Sequence, residues 1–448
     1  MSETVYDTEG QVSEAQQAAL RLANVSEAER NAALQAIADA IRENSEAILQ
    51  ANEKDVDEAE KMLAQGEYTQ ALVDRLKLDS GKLESIAEMV ESVAGQDDPL
   101  GETLEARELD DDLELYKVAV PIGVVGTIFE SRPDALVQIA ALSLKSGNAV
   151  ILKGGSEASE SNRVLYETIV EATGESDAIP EGWAQLIEAH EEVDALLSMD
   201  EKVDLIMPRG SSEFVSYIQD NTQIPVLGHT EGVCHVYVDE AADLEMAEEI
   251  AFDAKTQYPA VCNAVETLLV NDDVADEFLP GMVERYEDAG VTLRGCERTR
   301  EYVDVDPVTD DDWSSEYGDL ELSIKVVEDV YDAVDHANTY GSKHTESIVT
   351  EDSETARVFM TGIDAASVFH NASTRFADGY RYGLGAEVGI STGKIHARGP
   401  VGLAGLTTYK YYLEGDGQLV ATYAGDDAKP FTHRDFDGEW SPGHLSGN

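Results

Sequence analysis

Two short apolar runs constrain the fold more than any other feature of this chain: residues 124–129 and residues 149–152. Each run is continuous rather than alternating, which is typical of a strand covered on both faces in a parallel sheet. Between them, Pro133 suits the first turn of a helix and Gly147 suits its C-terminal end. The region therefore predicts a strand–helix–strand unit whose two strands are parallel and buried.

The same alternation continues to about residue 369. Helical patterns separate further strand patterns, which lie at residues 184–187, 203–207, 236–238 and 266–270. Strands that alternate with helices in this way indicate doubly wound α/β sheets. Since 448 residues suffice for two or three domains, we expect two such sheets, divided near residue 230.

Three further regions have other patterns. Residues 11–95 are helical in pattern, with a capping-box signature at Ser26 and Glu29. Residues 104–120 alternate between polar and apolar, which predicts an exposed antiparallel hairpin, a flap of the kind that reaches a neighbouring subunit. From about Gly425 the chain is polar and aperiodic, which predicts a loose tail.

The charge balance excludes some classes of partner. The net charge is −60, from 91 acidic and 31 basic residues, and it would repel nucleic acids and anionic membranes. A disordered acidic protein is excluded by the 42% hydrophobic content and its periodicity. An evenly acidic surface is tolerated when counterions screen it, so we expect a halophilic protein from a salt-accumulating cytoplasm. Neither a secretory signal nor an apolar run of roughly 20 residues is found, which also favours a cytoplasmic location.

Three cysteines are present, an odd number without the paired spacing of a disulfide framework or a zinc site. We therefore expect reduced thiols and no metal. Cys262 follows Tyr258-Pro259, which should end the preceding helix and place the thiol on a loop before a strand. Loops on a rigid scaffold carry much of protein chemistry, although a free cysteine is more often a small buried apolar residue.

Other segments suit anionic ligands. Lys153 ends a buried strand and Gly210-Ser211 opens a helix, which are positions where α/β sheets bind phosphates, although ordinary turns look the same. Neither a Walker loop nor a G-x-G-x-x-G motif is present. The glycine-rich stretch 371–408 gathers cationic side chains that suit a small anionic substrate or, alternatively, pair with nearby acids. They are Arg375, Arg381, Lys394, His396 and Arg398.

Four ordered motifs between about residues 14 and 415 carry a resemblance to a known family. They are VPIGVVG at 120–126 with ESRPD at 130–134, PAVCNAVET at 259–267, YGSKHTE at 340–346, and GIST at 389–392 with IHARGPVGL at 395–403. The chain resembles the aldehyde dehydrogenase superfamily, and within it the branch that reduces an acyl phosphate in proline biosynthesis.

The resemblance implies an aldehyde-dehydrogenase-like fold of two doubly wound α/β domains and a protruding hairpin flap for oligomerisation. The expected boundaries are 1–110 and 122–230 for a cofactor-binding domain, 111–121 and 408–424 for the flap, 231–370 for a catalytic domain, 371–407 for a segment returning to the active site and cofactor domain, and 425–448 for a polar tail.

The resemblance also implies a reaction, the NADPH-dependent reduction of L-glutamyl 5-phosphate to L-glutamate 5-semialdehyde. Cys262 would be the nucleophile that expels phosphate and forms a thioester. The superfamily holds the oxyanion with an asparagine, but Asp134 occupies that position here. Because a carboxylate cannot donate unless protonated, Asn263 or a backbone N–H is the alternative donor.

For the cofactor, the resemblance implies that Lys153 contacts the adenosine ribose and Gly210 and Ser211 begin the pyrophosphate turn. It further implies that Glu316 holds the nicotinamide ribose. For the anionic substrate, Arg132 joins Arg375, Arg381, His396 and Arg398 as candidates.

One departure from the superfamily separates the competing functions. Acid-releasing aldehyde dehydrogenases carry a glutamate that activates water, and Val226 replaces it here. This argues against an NAD-dependent enzyme releasing a free acid. Intact Cys262 argues against a catalytically silent scaffold for glutamate kinase. The expected partners are further copies of the chain and, transiently, a separate glutamate 5-kinase, since acyl phosphates hydrolyse readily.

The net charge of −60 predicts how stability depends on salt. Screening of the acidic surface should raise the melting temperature between low and molar potassium chloride, because repulsion within the folded chain weakens as the Debye length shortens. Circular dichroism at both salt concentrations measures this. An unchanged or lower melting temperature in molar salt would contradict a halophilic surface.

Overall fold

A computed structural model describes residues 7–130, 132–229 and 231–441 of the chain. The helices in these residues are α1 (Thr8–Leu22), α2 (Glu27–Glu43), α3 (Ser45–Gln65), α4 (Gln70–Leu76), α5 (Ser80–Ala94), α6 (Pro133–Lys145), α7 (Ser159–Gly174), α8 (His190–Leu197), α9 (Ser212–Asp220), α10 (Leu244–Thr256), α11 (Asp272–Asp288), α12 (Val330–Tyr340) and α13 (Ser353–Gly362). None of them is long and apolar enough to cross a membrane.

The strands form three larger sheets and one small pair. They are β1 (Thr103–Asp110), β2 (Leu113–Pro121), β3 (Val124–Phe129), β4 (Ala149–Lys153), β5 (Ala184–Ile187), β6 (Leu205–Arg209), β7 (Cys234–Val238), β8 (Val265–Asn271), β9 (Thr292–Gly295), β10 (Asp306–Pro307), β11 (Glu321–Val327), β12 (Thr345–Val349), β13 (Ser367–His370), β14 (Ile390–Ser391), β15 (Gly399–Pro400), β16 (Thr407–Gly415) and β17 (Arg434–Asp435).

The first domain is built on a parallel sheet of order β5-β4-β3-β6. Every residue of β3 and β4 is buried, as their continuous apolar runs predict. Helix α6 starts at Pro133 and stops before Gly147, whose φ of 71° lies in the left-handed region that favours glycine. The predicted strand–helix–strand unit is confirmed.

The N-terminal helices cover this sheet. The capping box of α2 is present, since the Ser26 side chain accepts from the Glu29 amide and the Glu29 side chain accepts from Ser26 N–H. Leu34, Ile37 and Ile41, which are spaced one helical turn apart, are all buried in the main core of the first domain. Their helical periodicity therefore places one face of α2 against the domain.

The second domain is a parallel sheet of order β10-β9-β11-β8-β7-β12-β13. Val236 and Val238 face a core with α10 and α11, whereas Tyr237 between them faces a core with α12 and α13. Because successive residues of a strand point to opposite faces, both faces of the sheet are covered by helices. The prediction of two doubly wound α/β domains is confirmed.

The flap is an antiparallel sheet of order β16-β2-β1-β17. Strands β1 and β2 form the predicted hairpin, and β16 pairs with β2 along all nine of its residues. The hairpin begins at Thr103, so it takes in residues that the expected boundary gave to the cofactor-binding domain. Tyr409, Tyr411 and Leu413 are each more than half exposed on β16.

The prediction of a loose tail from Gly425 is wrong for residues 425–441. Strand β17 pairs with β1, and the Trp440 ring stacks on Tyr412 with centroids 3.8 Å apart. Aromatic stacking and strand pairing hold this polar segment, and neither depends on an apolar period. Residues 442–448 of the expected tail lie outside the described residues.

The segment between the second domain and the flap returns to the first domain. Leu403 and Leu406 belong to the first domain's core. The fully buried Asn148 fixes this contact, since its Nδ2 donates to Leu406 O and its Oδ1 accepts from Gly123 N, both at 2.8 Å. One amide side chain therefore joins the returning segment to β3.

Replacing Asn148 with Ala should lower the melting temperature, because the buried Leu406 carbonyl and the partly buried Gly123 amide lose a partner, at up to about 1–3 kcal/mol each. Asn221→Ala is the matched control, since the exposed Asn221 side chain donates to Tyr217 O in the helix that it caps. Calorimetry in high salt compares the variants. Equal melting of the two would contradict the role given to Asn148.

Candidate active site

Cys262 lies in the loop between α10 and β8, and its side chain is partly exposed. The loop passes against Gly232 so closely that a Cβ on that glycine would overlap the Cys262 backbone. Gly232 is therefore required by close approach rather than by backbone conformation. The thiol has the loop position that the sequence predicts.

The strand ends of two sheets meet around this loop. Cys234, His344 and Cys262 all lie at the amino ends of strands β7, β12 and β8 in the second domain. Lys153 and Arg209 lie at the carboxyl ends of β4 and β6, the strands on either side of β3 in the first domain. The site is therefore assembled from both domains.

Two histidines accompany the thiol. His229, Cys262 and His344 each offer one ligand atom, and these three atoms lie within 4.8 Å of one another. The two imidazole rings meet edge to face, with centroids 5.1 Å apart. Neither histidine was predicted from the sequence, because 33 and 82 residues separate them from Cys262 and only the fold brings them together.

Arg209 is a further residue that the sequence analysis missed. Burial lowers the pKa of its guanidinium and Arg132 lowers it further, while Glu387, Asp134 and Cys262 act in the opposite direction. Its Nη1 is enclosed without a hydrogen-bond partner among the described residues. An arginine at the carboxyl end of a buried strand was the available signal.

Arg375 is the predicted substrate candidate that the structure places beside the thiol. It is 7% exposed, and its Nε donates to Gln257 Oε1 at 3.0 Å. Burial is the main cause that lowers its pKa, and Cys262 is among the groups that raise it. Arg375 therefore places a buried cationic group within electrostatic range of Cys262.

The contacts of Arg398, Lys394 and His396 are with groups other than Cys262. Arg398 and Lys394 both pair with Asp364, at 3.0 and 2.8 Å. The exposed His396 contacts Thr407 O through Nε2 at 3.0 Å. For Arg398, pairing with a neighbouring acid, the alternative left open by the sequence, is what the structure shows.

Arg381 and Arg132 also have carboxylate neighbours. Arg381 pairs with Asp378 at 3.3 Å, and Arg132 donates to Asp134 at 3.2 Å. Arg381 also lowers the pKa of Arg375, so the two guanidinium groups lie near each other. Both arginines are exposed and accessible to an anionic ligand.

The two candidate oxyanion donors are placed differently. Asp134 lies in the first turn of α6, and its Oδ1 is buried without a hydrogen-bond partner among the described residues. Asn263 is 4% exposed and donates one amide hydrogen to Ala377 O at 2.8 Å. An amide nitrogen has two hydrogens, so Asn263 retains one for another acceptor.

The cofactor candidates of the first domain lie at the carboxyl ends of strands in its sheet. Lys153 is buried, and burial lowers its pKa while Glu157, Glu130 and Glu192 raise it. The Ser211 amide, at the start of α9, donates to Glu130 at 3.2 Å. Gly210 and Ser211 are exposed, so this helix start is open to a ligand.

Glu316 belongs to the second domain. Its carboxylate accepts from Gly232 N at 2.9 Å, and Gly232 is the residue packed against Cys262. Gly232 thus links Glu316 to the loop that carries Cys262, here called the nucleophile loop.

A buried ion pair closes the base of that loop. Lys255 lies in the last turn of α10 and Glu266 is the second residue of β8, and their charged atoms are 2.6 Å apart with almost no exposure. Burial raises the pKa of Glu266 to about 7, and Lys255 opposes that rise. Burial likewise lowers the pKa of Lys255, with Glu266 opposing. Each charge therefore stabilises the other, since either group alone would be an uncompensated buried charge.

The chain is similar to known proteins over most of its length, and they define the class of this site. The family model described as "Aldehyde dehydrogenase family" matches residues 2–313. The chain belongs to the aldehyde dehydrogenase family.

The particular branch follows from individual relatives. A gamma-glutamyl phosphate reductase from Natronomonas pharaonis is 72% identical over 99% of this chain and 100% of its own length, and one from Haloquadratum walsbyi is 69% identical over 96% of each; both organisms are halophiles. The crystal structure of gamma-glutamyl phosphate reductase from Thermotoga maritima is 43% identical, covers 92% of this chain and 100% of its own, and has a TM-score of 0.89. Within the family, this chain is one of the gamma-glutamyl phosphate reductases.

Glu266→Gln should lower the urea midpoint of unfolding in molar potassium chloride, because an unpaired buried Lys255 costs about 3–5 kcal/mol. Glu266→Gln combined with Lys255→Met should recover most of the loss, since no buried charge remains. Glu354→Gln, which removes a half of the exposed pair with Arg357, is the matched control and should change little. A double variant no more stable than the single one would contradict charge compensation.

Proposed function

We propose that the chain reduces L-glutamyl 5-phosphate to L-glutamate 5-semialdehyde with NADPH and releases phosphate, the second step of proline biosynthesis from glutamate. The observation that carries this is a partly exposed Cys262 among cationic groups, with Val226 in place of a water-activating glutamate. The names of the relatives support the same reaction.

Cys262 attacks the acyl carbon as a thiolate, and the carbon–oxygen bond to phosphate breaks to leave a thioester. The cations Arg209 and Arg375 favour the anionic states of this step, because both lie within electrostatic reach of the sulfur. The developing oxyanion needs a donor, and the remaining N–H of Asn263 is the side-chain candidate.

The residues at the carboxyl ends of the first domain's strands fit a dinucleotide. Lys153 offers a buried cation, and no side chain among the described residues caps the start of α9 at Ser211. Free helix N–H groups suit the pyrophosphate, and Glu316 would hold the nicotinamide ribose. NADPH, when bound, supplies the hydride that reduces the thioester.

Val226 occupies the position of the water-activating glutamate. This side chain packs on the apolar core around Ile206, and the two residues form a β-bridge. An apolar side chain cannot accept a proton from water, so it provides no general base here. Phosphate is therefore the partner that exchanges with the thioester in the reverse direction.

We further propose that the chain works as a homo-oligomer in the cytoplasm. Exposed Tyr409, Tyr411 and Leu413 on β16 support assembly through the flap, since aromatic side chains are enriched at interfaces. The three cysteines are unpaired, as a reducing compartment requires. A transient contact with a separate glutamate 5-kinase would shorten the lifetime of the free acyl phosphate.

The reverse reaction tests the proposal. Glutamate 5-semialdehyde and NADP in high salt should give NADPH only when phosphate is present, because Val226 replaces the glutamate that activates water against the thioester. Absorbance of NADPH measures the rate with and without phosphate. Turnover that ignores phosphate would instead support an aldehyde dehydrogenase that releases a free acid.

In the same assay Cys262→Ala should lower the rate by at least about 10⁴-fold, as loss of a nucleophile commonly does. Binding of NADP, followed by fluorescence titration, should not change. Cys296→Ser is the matched control, since Cys296 lies next to Thr299 and away from the site. Retained activity in Cys262→Ala would rule out the nucleophile.

A further inference from the structure

The three side chains of His229, Cys262 and His344 have a donor set that the reductase reaction does not require. Two imidazoles and one thiol lie together, with one ligand atom of each within 4.8 Å of the others. Imidazole and thiolate are the ligands that Zn²⁺ and neighbouring transition metals prefer, and three protein ligands with an open fourth position are typical of accessible zinc sites.

In each imidazole, one nitrogen has no hydrogen-bond partner among the residues that the structure describes. The Nδ1 of His229 lies 2.9 Å from Ile390 O, and because a carbonyl only accepts, this nitrogen carries the hydrogen and Nε2 holds a lone pair. A metal-bound histidine is commonly oriented in this way by a backbone carbonyl.

His344 gives the second, independent indication. Its Nδ1 contacts Thr345 Oγ1 at 2.8 Å, whereas its Nε2 is buried without a partner among the described residues. The side chain is only 1% exposed. A buried polar atom normally has a partner, so this nitrogen indicates a ligand.

We propose that His229, His344 and Cys262 bind a divalent transition ion such as Zn²⁺, and that the bound ion reversibly inhibits the enzyme. The sulfur–hydrogen bond breaks, the proton leaves to water and a metal–sulfur bond forms, with no change of oxidation state. This inference rests on the proposed nucleophile, because a metal-bound thiolate cannot attack the acyl carbon.

The geometry allows the site after a small movement. Ligand atoms around tetrahedral zinc lie roughly 3.4–3.8 Å apart, so the three groups must approach by about 1 Å. Cys262 lies in a loop and is partly exposed, so rotation about its χ1 angle is the movement that the site requires.

Titration of the full chain with Co²⁺ tests binding without any use of activity. Cobalt bound by a thiolate gives a near-ultraviolet charge-transfer band, and we expect a saturable band at one ion per chain. Cys262→Ser should abolish the band, and His229→Gln and His344→Gln should each weaken cobalt affinity by at least about tenfold. Cys296→Ser and His370→Gln, which lie outside the cluster, should leave the titration unchanged.

Cys234 needs its own variant, because its sulfur lies 3.8 Å from His344 Nδ1. Cys234→Ala should retain the cobalt band. A band that survives Cys262→Ser, or histidine variants that titrate like the wild type, would overturn the proposal.

The inhibitory role is tested separately, by measuring how fast the Cys262 thiol is alkylated. Zn²⁺ should slow alkylation of Cys262 by iodoacetamide at least about tenfold, a rate followed by mass spectrometry, and a chelator should restore it. Unchanged alkylation would overturn the inhibitory role. If the cobalt band appears in a chain that fails the phosphate test, the reductase proposal fails alone; if activity is present without a band, the metal proposal fails alone.

Discussion

The buried ion pair between Lys255 and Glu266 is the interaction on which the active site depends most. It joins the end of α10 to the start of β8, so the nucleophile loop is held at both of its ends. Gly232 then limits where the loop can lie, and the same glycine donates to Glu316. A charged contact at the base of the loop, rather than contacts of the thiol itself, thus fixes the position of Cys262.

Charge is distributed unevenly between surface and site. The chain carries 91 acidic residues, yet the groups that surround Cys262 include the guanidinium groups of Arg209 and Arg375. A surface of one sign is screened by salt, whereas partly buried charges are screened much less. The site can therefore attract an acyl phosphate in concentrated salt, where long-range steering by the surface is lost.

Sequence patterns predicted the local features well. The buried strands β3 and β4, the capping box of α2 and the loop position of Cys262 all follow from neighbouring residues. Arg209, His229 and His344 were missed because their proximity arises from two sheets meeting, and single-sequence periodicity carries no information on that contact. The folded course of residues 425–441 was missed because stacking of Trp440 leaves no periodic signal.

The flap has one further consequence for the behaviour of the protein. Strand β17 covers one edge of this sheet, and among the described residues no strand covers the outer edge of β16. That edge is nine residues long and bears exposed aromatic groups, the features of a strand prone to edge-to-edge aggregation. Assembly through the flap would therefore also cover this edge and protect the chain from aggregation. Dilution would separate the subunits and expose the edge of β16 as a template for β-aggregation.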